Sequence, residues 1–197
     1  MAPTSSTDDP PAFLGSQERS ELLVVARASI RHGLDGHRPL VVDPARYPAS
    51  LQQERAAFVT LTEEGRLRGC IGHLEACQAL VRDVADNAFA AAFRDPRFQP
   101  LSAAELERIH IHVSVLSPQE PLDIGSELEL LKVIRPGVDG LILEEEHHRG
   151  TFLPSVWETL RDPRQFLAHL KMKAGLSPEY WSDRMKVARY TTESFGE

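Results

Sequence analysis

The sequence predicts an α+β fold, and three observations lead there. Ile109, Ile111, Val113 and Val115 alternate with His110, His112 and Ser114, which is the period of a half-buried strand. Leu80, Val81, Val84, Ala85, Ala88, Phe89 and Ala92 recur at helical spacing and make one broad apolar face. Other apolar runs and helical stretches interleave along the chain without the regular spacing of βαβ units.

From the N-terminus, residues 1–15 are rich in Pro, Ser, Thr and Asp and read as a flexible tail. Ser16 can cap a helix whose apolar positions Leu22, Leu23, Ala26 and Ile30 keep helical spacing, ending at Gly33. The stretch from Gly36 to Ser50 holds Pro39, Pro44 and Pro48. So long an irregular connection points to a loop folded over the body near a site. Phe58–Leu61, the turn-like Thr62–Gly65 and Leu67–Gly72 read as a hairpin. The strongest helix runs from Leu74 to Phe93 and stops at Asp95-Pro96, because proline does not continue a helix. Ser102-Ala103-Ala104-Glu105 is a capping-box pattern for a short helix through Glu107, and the strand over Ile109–Val115 follows. Gly125-Ser126 opens a helix to about Ile134, and Leu141–Leu143 and Thr151–Leu153 read as strands. Pro154 leads a brief helix around Trp157, and Asp162-Pro163 starts a helix to Lys173 that closes at Gly175. Val187 to Thr192 reads as a last strand.

The 197 residues suffice for one well-buried domain, or one domain with a small second lobe. A formal net charge of −7 argues against a general nucleic-acid or anionic-membrane surface. Two cysteines, Cys70 and Cys77, are too few for a disulfide scaffold. No run of about 18 apolar residues marks a membrane span. The first residues carry no signal-peptide pattern, so the expected location is the cytoplasm.

The chemistry concentrates at Leu67-Arg68-Gly69-Cys70-Ile71-Gly72, where a thiol stands between two glycines with Arg66 and Arg68 just upstream. Gly69 and Gly72 allow a sharp bend or a close ligand approach, and cationic neighbours favour a thiolate. Two readings stand side by side: a small buried cysteine whose glycines serve the turn, or a reactive thiol. In the second, Cys70 is the nucleophile, Arg68 binds a carboxylate or phosphate, and His73, His110 or His112 supplies the base. Positions 68 and 70 share a face only if the glycine between them leaves the pleat intact.

The same six residues resemble the signature of the AMMECR1 domain family, whose bacterial and archaeal members are called AmmeMemoRadiSam system protein A. Further matches fall in order at Asp95–Leu101, Val113–Leu116, Gly140–Leu143, Thr151–Trp157 and Lys173–Leu176, spanning most of the chain from Ser16 onward. The resemblance implies an antiparallel sheet flanked by helices with a smaller second lobe, the domain covering about 16–193. It implies association with a Memo-like protein and a radical SAM protein. It also carries a suggestion of RNA or nucleotide modification, which rests on fold analogy. The site residues it implies are Arg68, Gly69, Cys70 and Gly72, with Arg97 and Lys173 beside them. His73 enters the candidate substrate-binding set through its place next to the signature, of which it is not part.

Structural roles compete at several of these positions. Arg97 can anchor its corner to a helix C-terminus, and Lys173 can complement a helix dipole in the last turn. Trp157 and Trp181 read as core or lobe-interface residues. Cys70-x2-His73-x3-Cys77 superficially resembles a metal triad, but a closed zinc site needs four ligands. His110-x-His112 has a spacing that can hold zinc or iron, and an exposed strand face explains it equally well. No metal is assigned, and the cofactor is left open. The expected activity is that of an enzyme or enzyme subunit with a small anionic or nucleotide-like substrate at the Cys70 hairpin. The alternative is a non-catalytic adaptor for the two partners. RNA binding would require Arg66, Arg68, Arg94 and Arg97 to form one positive surface.

Overall fold

A computed structural model describes residues 13–197. Among them are six α-helices and eight strands, in two four-stranded antiparallel sheets. The chain divides into two compact units. One takes in Phe13 to Leu116 together with Glu193–Glu197, and the other is Ser117–Thr192.

In the larger unit, α1 (Ser16–Gly36) is followed by α2 (Ala49–Gln52), β1 (Ala57–Glu63), β2 (Arg66–Gly72), α3 (Leu80–Phe93), α4 (Ala103–Leu106) and β3 (Ile109–Leu116). The strand β8 (Thr192–Gly196) completes its sheet in the order β2-β1-β3-β8. Strand alternation sets the layers. Val59, Leu61, Ile111 and Val113 are buried in the core together with Val81, Val84, Ala85 and Ala88 of α3 and Leu22, Ala26 and Ile30 of α1. The buried Ser29 hydroxyl donates to the Ala85 carbonyl at 2.7 Å and ties the two helices together.

In the other unit, β4 (Glu120–Leu122), α5 (Glu127–Val133), β5 (Gly140–Glu145), β6 (His148–Phe152), α6 (Pro163–Lys173) and β7 (Lys186–Tyr190) build a sheet in the order β4-β7-β5-β6. Its core includes Leu141, Leu143, Val187, Leu167 and Leu170, with Trp157 stacked on Phe166 at 3.7 Å between ring centroids. Trp157 Nε1 donates to the Asp139 carbonyl, so this tryptophan is a core residue with its polar edge satisfied.

Several boundaries differ from the sequence reading. Gly15, not Ser16, caps α1: its N–H donates to the Glu18 carboxylate at 2.6 Å. The helix continues past Gly33 to Gly36, and the glycine at 33 serves packing instead of ending the helix. A Cβ there would lie 2.5 Å from the Phe93 ring. The left-handed His37 (φ 52°) closes the helix instead. Of the tail expected over residues 1–15, positions 1–12 lie outside the described residues. Phe13 and Leu14 are held, both donating N–H to the buried Glu193 carboxylate. The expected helix start at Leu74 moves to Leu80, since tertiary hydrogen bonds claim the intervening backbone. His73 N–H donates to the Ala57 carbonyl, and Leu80 N–H to the Gln53 carbonyl. Cys77 is therefore an exposed loop residue and not part of an amphipathic helix. The single strand expected over Val187–Thr192 is two strands, one for each sheet.

Candidate functional site

Cys70 sits on β2, the edge strand of the first sheet, opposite Thr60 of β1. The register shifts between Leu61 and Thr62: Leu61 faces Gly69 while Thr62 faces Leu67, which leaves Arg68 as the extra residue of a bulge. The bulge answers whether residues 68 and 70 share a face. Arg68 is drawn into an ion pair with Glu105 at 2.7 Å and donates to the Gln99 carbonyl at 2.9 Å. Its side chain is only 12% exposed. The Arg68 guanidinium holds the Glu105 carboxyl down at about 2. The cation expected to meet a ligand beside Cys70 thus already has a carboxylate partner.

Gly69 lies against α3: a Cβ there would come 2.1 Å from the Ala91 carbonyl oxygen. Gly72 is equally confined, with a built Cβ 2.4 Å from the Phe58 ring and 2.5 Å from the Ala57 carbonyl oxygen. Close packing requires both glycines, whatever else they allow.

The Cys70 side chain, half-buried, turns the other way, toward Thr60, whose hydroxyl donates to Sγ at 3.3 Å. Thr60 pairs on its far side with His112 of β3. Cys70, Thr60 and His112 therefore make one row across three strands, on the face opposite that of Val59 and Leu61. Backbones two strands apart are about 10 Å apart, too far for His112 to touch the sulfur directly. The His112 ring lies over Gly196 of β8, where a Cβ would come 2.3 Å from Nδ1.

An edge strand leaves alternate backbone groups unpaired. At Cys70 the segment after α3 satisfies both. The Cys70 N–H donates to Asp95 Oδ2 at 2.9 Å, and Arg97 Nη2 donates to the Cys70 carbonyl at 3.3 Å. Arg97 also grips Asp95 through Nε and Nη2, at 2.9 and 2.6 Å. These hydrogen bonds from Arg97, joined by the Cys70 and Arg97 N–H groups, hold the buried Asp95 carboxyl well below the usual carboxylate range. Arg97 does not meet a helix C-terminus; its corner role is to clamp the sheet edge. Sequence reading used Asp95 only as a helix stop. What could have found it is a carboxylate two residues before an arginine, the spacing of a local ion pair.

His73 turns toward α3, where Nδ1 meets Asp83 Oδ1 at 3.1 Å. Asp83 is buried and also accepts from Ala57 N–H and Asn87 Nδ2, both at 2.9 Å. Burial pushes its carboxyl up, against the pull of the hydrogen bonds from Gln78 and His73. His73 and Cys70 thus contact opposite layers, and the imidazole is engaged by a carboxylate of the core. Lys173 belongs to the other unit, where Nζ donates to the Thr151 carbonyl at 2.9 Å and lies 5.1 Å from the Phe152 ring centroid. Among the arginines weighed for RNA, Arg68 and Arg97 are paired with carboxylates, and Arg94 lies over Phe89. Among the described residues no cluster of three or more His, Cys, Asp or Glu could hold a metal. No helix among them is long and apolar enough to cross a membrane.

Comparison with known proteins agrees with this architecture. The AMMECR1 family model matches residues 23–195. A protein of Methanothermobacter thermautotrophicus is 40% identical over 188 residues, covering 94% of this chain and 97% of its own. Protein MJ0810 of Methanocaldococcus jannaschii is 38% identical over 176 residues, covering 87% and 86%. The crystal structure of the uncharacterized protein PH0010 from Pyrococcus horikoshii superposes with a TM-score of 0.79 at 34% identity, covering 89% of each chain. Sequence and fold agree: the chain belongs to the AMMECR1 family.

Proposed function

We propose that the protein is a cytoplasmic enzyme or enzyme subunit that receives a small anionic or nucleotide-like substrate at the Cys70 hairpin. Its partners in this reading are the Memo-like and radical SAM proteins that the family resemblance implies. The row Cys70–Thr60–His112 carries the reading. Thr60 donates its hydroxyl to Sγ and so fixes the direction of the remaining sulfur lone pairs. His112, across β1, would act on the far end of a bound substrate and not on the thiol. Arg97 is the cation placed for the anion: its side chain is 54% exposed, and Nη1 is left over once Nε and Nη2 are engaged. Arg68 and Gly69 shape the strand beneath, with Gly72 closing it.

Alkylation tests this directly, provided that the exposed Cys77 is first removed. In a Cys77→Ser background, iodoacetamide should modify Cys70 of the folded protein at a rate comparable to a free thiol near neutral pH. A rate lower by two orders of magnitude would mean that the sulfur only packs, and would favour the adaptor reading. Specific observations give that alternative some support, because Arg68 and Asp95–Arg97 each have a structural task. In the enzyme reading, Cys70→Ser with an unchanged melting curve abolishes substrate binding or turnover.

A further inference from the structure

The long connection between α1 and α2, with its three prolines, has no part in the Cys70 reading. It borders a cleft of about 450 Å³, within the range of small-ligand sites. The loop supplies Leu40, Val41, Asp43, Arg46 and Tyr47, and α3 supplies Arg82. From two guanidinium groups and an apolar wall lining one cleft, we infer that it binds a small organic oxyanion, a phosphate or carboxylate on a flat apolar body.

The walls are fixed before any ligand arrives. Leu40 N–H donates to the buried Ser29 hydroxyl at 3.1 Å, and Arg82 Nη2 donates to the Val42 carbonyl at 3.3 Å. Asp43 Oδ1 accepts from Ala45 N–H at 3.1 Å, and Gln52 Nε2 donates to the Tyr47 carbonyl at 2.8 Å. Val42 is buried, while Leu40 and Tyr47 pack on the core. Val41 between them remains 85% exposed, an aliphatic side chain held out in water by a loop that is otherwise tethered.

The charges select the ligand. Among the described residues Arg82 meets only a carbonyl oxygen, so its Nε and Nη1 keep their donors, and its charge has no carboxylate partner there. Arg46 has a loose partner in Asp43, at 3.7 Å with both side chains mostly exposed. The lining thus carries two guanidinium groups against one carboxylate, in a chain whose formal net charge is −7. Guanidinium forks match the oxygens of phosphate and carboxylate. Tyr47, Leu40 and Val41 offer an aromatic and aliphatic surface for the body that carries them. The inference stands independently of Cys70.

Phenyl phosphate, benzoate and inorganic phosphate are the probes, titrated into the full chain by calorimetry and by amide NMR. Phenyl phosphate or benzoate should bind with a Kd of ~1 mM or tighter, shift the amides of Val41 and Tyr47, and weaken with added salt. Preference between those two decides phosphate against carboxylate. Inorganic phosphate should bind more weakly, and Tyr47→Ala should remove that difference. Arg82→Gln and Arg46→Gln should each weaken binding about fivefold or more; both side chains are exposed, but Arg82 also tethers the Val42 carbonyl, so unchanged melting curves of the free variants are the control. The inference is overturned if wild-type protein shows no Val41 or Tyr47 shift with either aromatic probe at about ten times that concentration. It is equally overturned if a variant carrying both Arg82→Gln and Arg46→Gln binds as well as wild type.

Discussion

Replacing Gly69 with alanine adds one methyl group where β2 crosses α3, and the structure sets the size of the effect. The new Cβ would lie 2.1 Å from the Ala91 carbonyl oxygen and 3.0 Å from its carbonyl carbon. A relaxed non-bonded contact is about 3.5 Å, so strand and helix must separate by more than about 1 Å. The obstacle is helix backbone and cannot rotate aside. Nor can α3 retreat freely, because its far side is held by α1, with Phe89 and Phe93 pressed on Gly33. Overpacking of this kind costs about 1–3 kcal/mol, and a backbone obstacle places Gly69→Ala near the upper end. In a chain of this size each kcal/mol lowers Tm by about 2–4 °C, so a drop of about 6–12 °C is expected. Both tryptophans belong to the other unit, so their emission is the wrong probe. Far-UV circular dichroism, with hydrogen exchange along α3, reports on the right place. A melting temperature within about 2 °C of wild type would refute the packing argument. Normal stability with lost ligand binding would show instead that the glycine serves the ligand.

Other expectations concern ion pairs. Glu105 is held at about 2 by Arg68, below its ordinary 4.5. Its stabilising contribution is therefore complete above about 4.5 and lost as the pH falls toward 2. Glu105→Gln should lower stability by roughly 1 kcal/mol at pH 6, and urea midpoints of the two proteins should converge on acidification. Lys171 is fully buried, with Nζ 2.6 Å from Glu127 and 3.0 Å from the Pro178 carbonyl. Glu127→Ala strands that ammonium and should cost about 3 kcal/mol, whereas Lys171→Met should cost less than half as much. Urea denaturation followed by Trp181 emission measures both, since Nζ lies 5.8 Å from that ring. Asp83→Ala leaves the Ala57 N–H and the Asn87 amide without their shared acceptor. A loss of about 2–3 kcal/mol is expected, read from the far-UV melt.

Local chemistry was legible in the sequence wherever a few adjacent residues decide the outcome. The Ser102–Glu105 capping box, the Asp162-Pro163 helix start and the alternation from Ile109 to Val115 all stand where their patterns place them. The hairpin strands were legible too, but the bulge at Arg68 was not, because it answers the approach of Gly69 to Ala91, far along the chain. The start of α3 at Leu80 is set by the distant carbonyls of Gln53 and Ala57. At the candidate site, Cys70 was visible as a flanked thiol. Thr60, which touches the sulfur, was hidden because only register brings it there. Arg68 looked like a free cation, since Glu105, which takes it up, lies 37 residues on; Arg97 was read as a corner anchor, but its partner is Asp95 two residues before it and not a helix C-terminus.

The first sheet takes its fourth strand from Thr192–Gly196, after residues 117–191 have intervened. During synthesis, β3 must wait with one border bare until β8 emerges, which makes that border a target for stray strand pairing. Tags or cuts near Gly196 therefore act on the same sheet that carries Cys70. Expression designs that leave the β8 end untouched should give the more homogeneous protein.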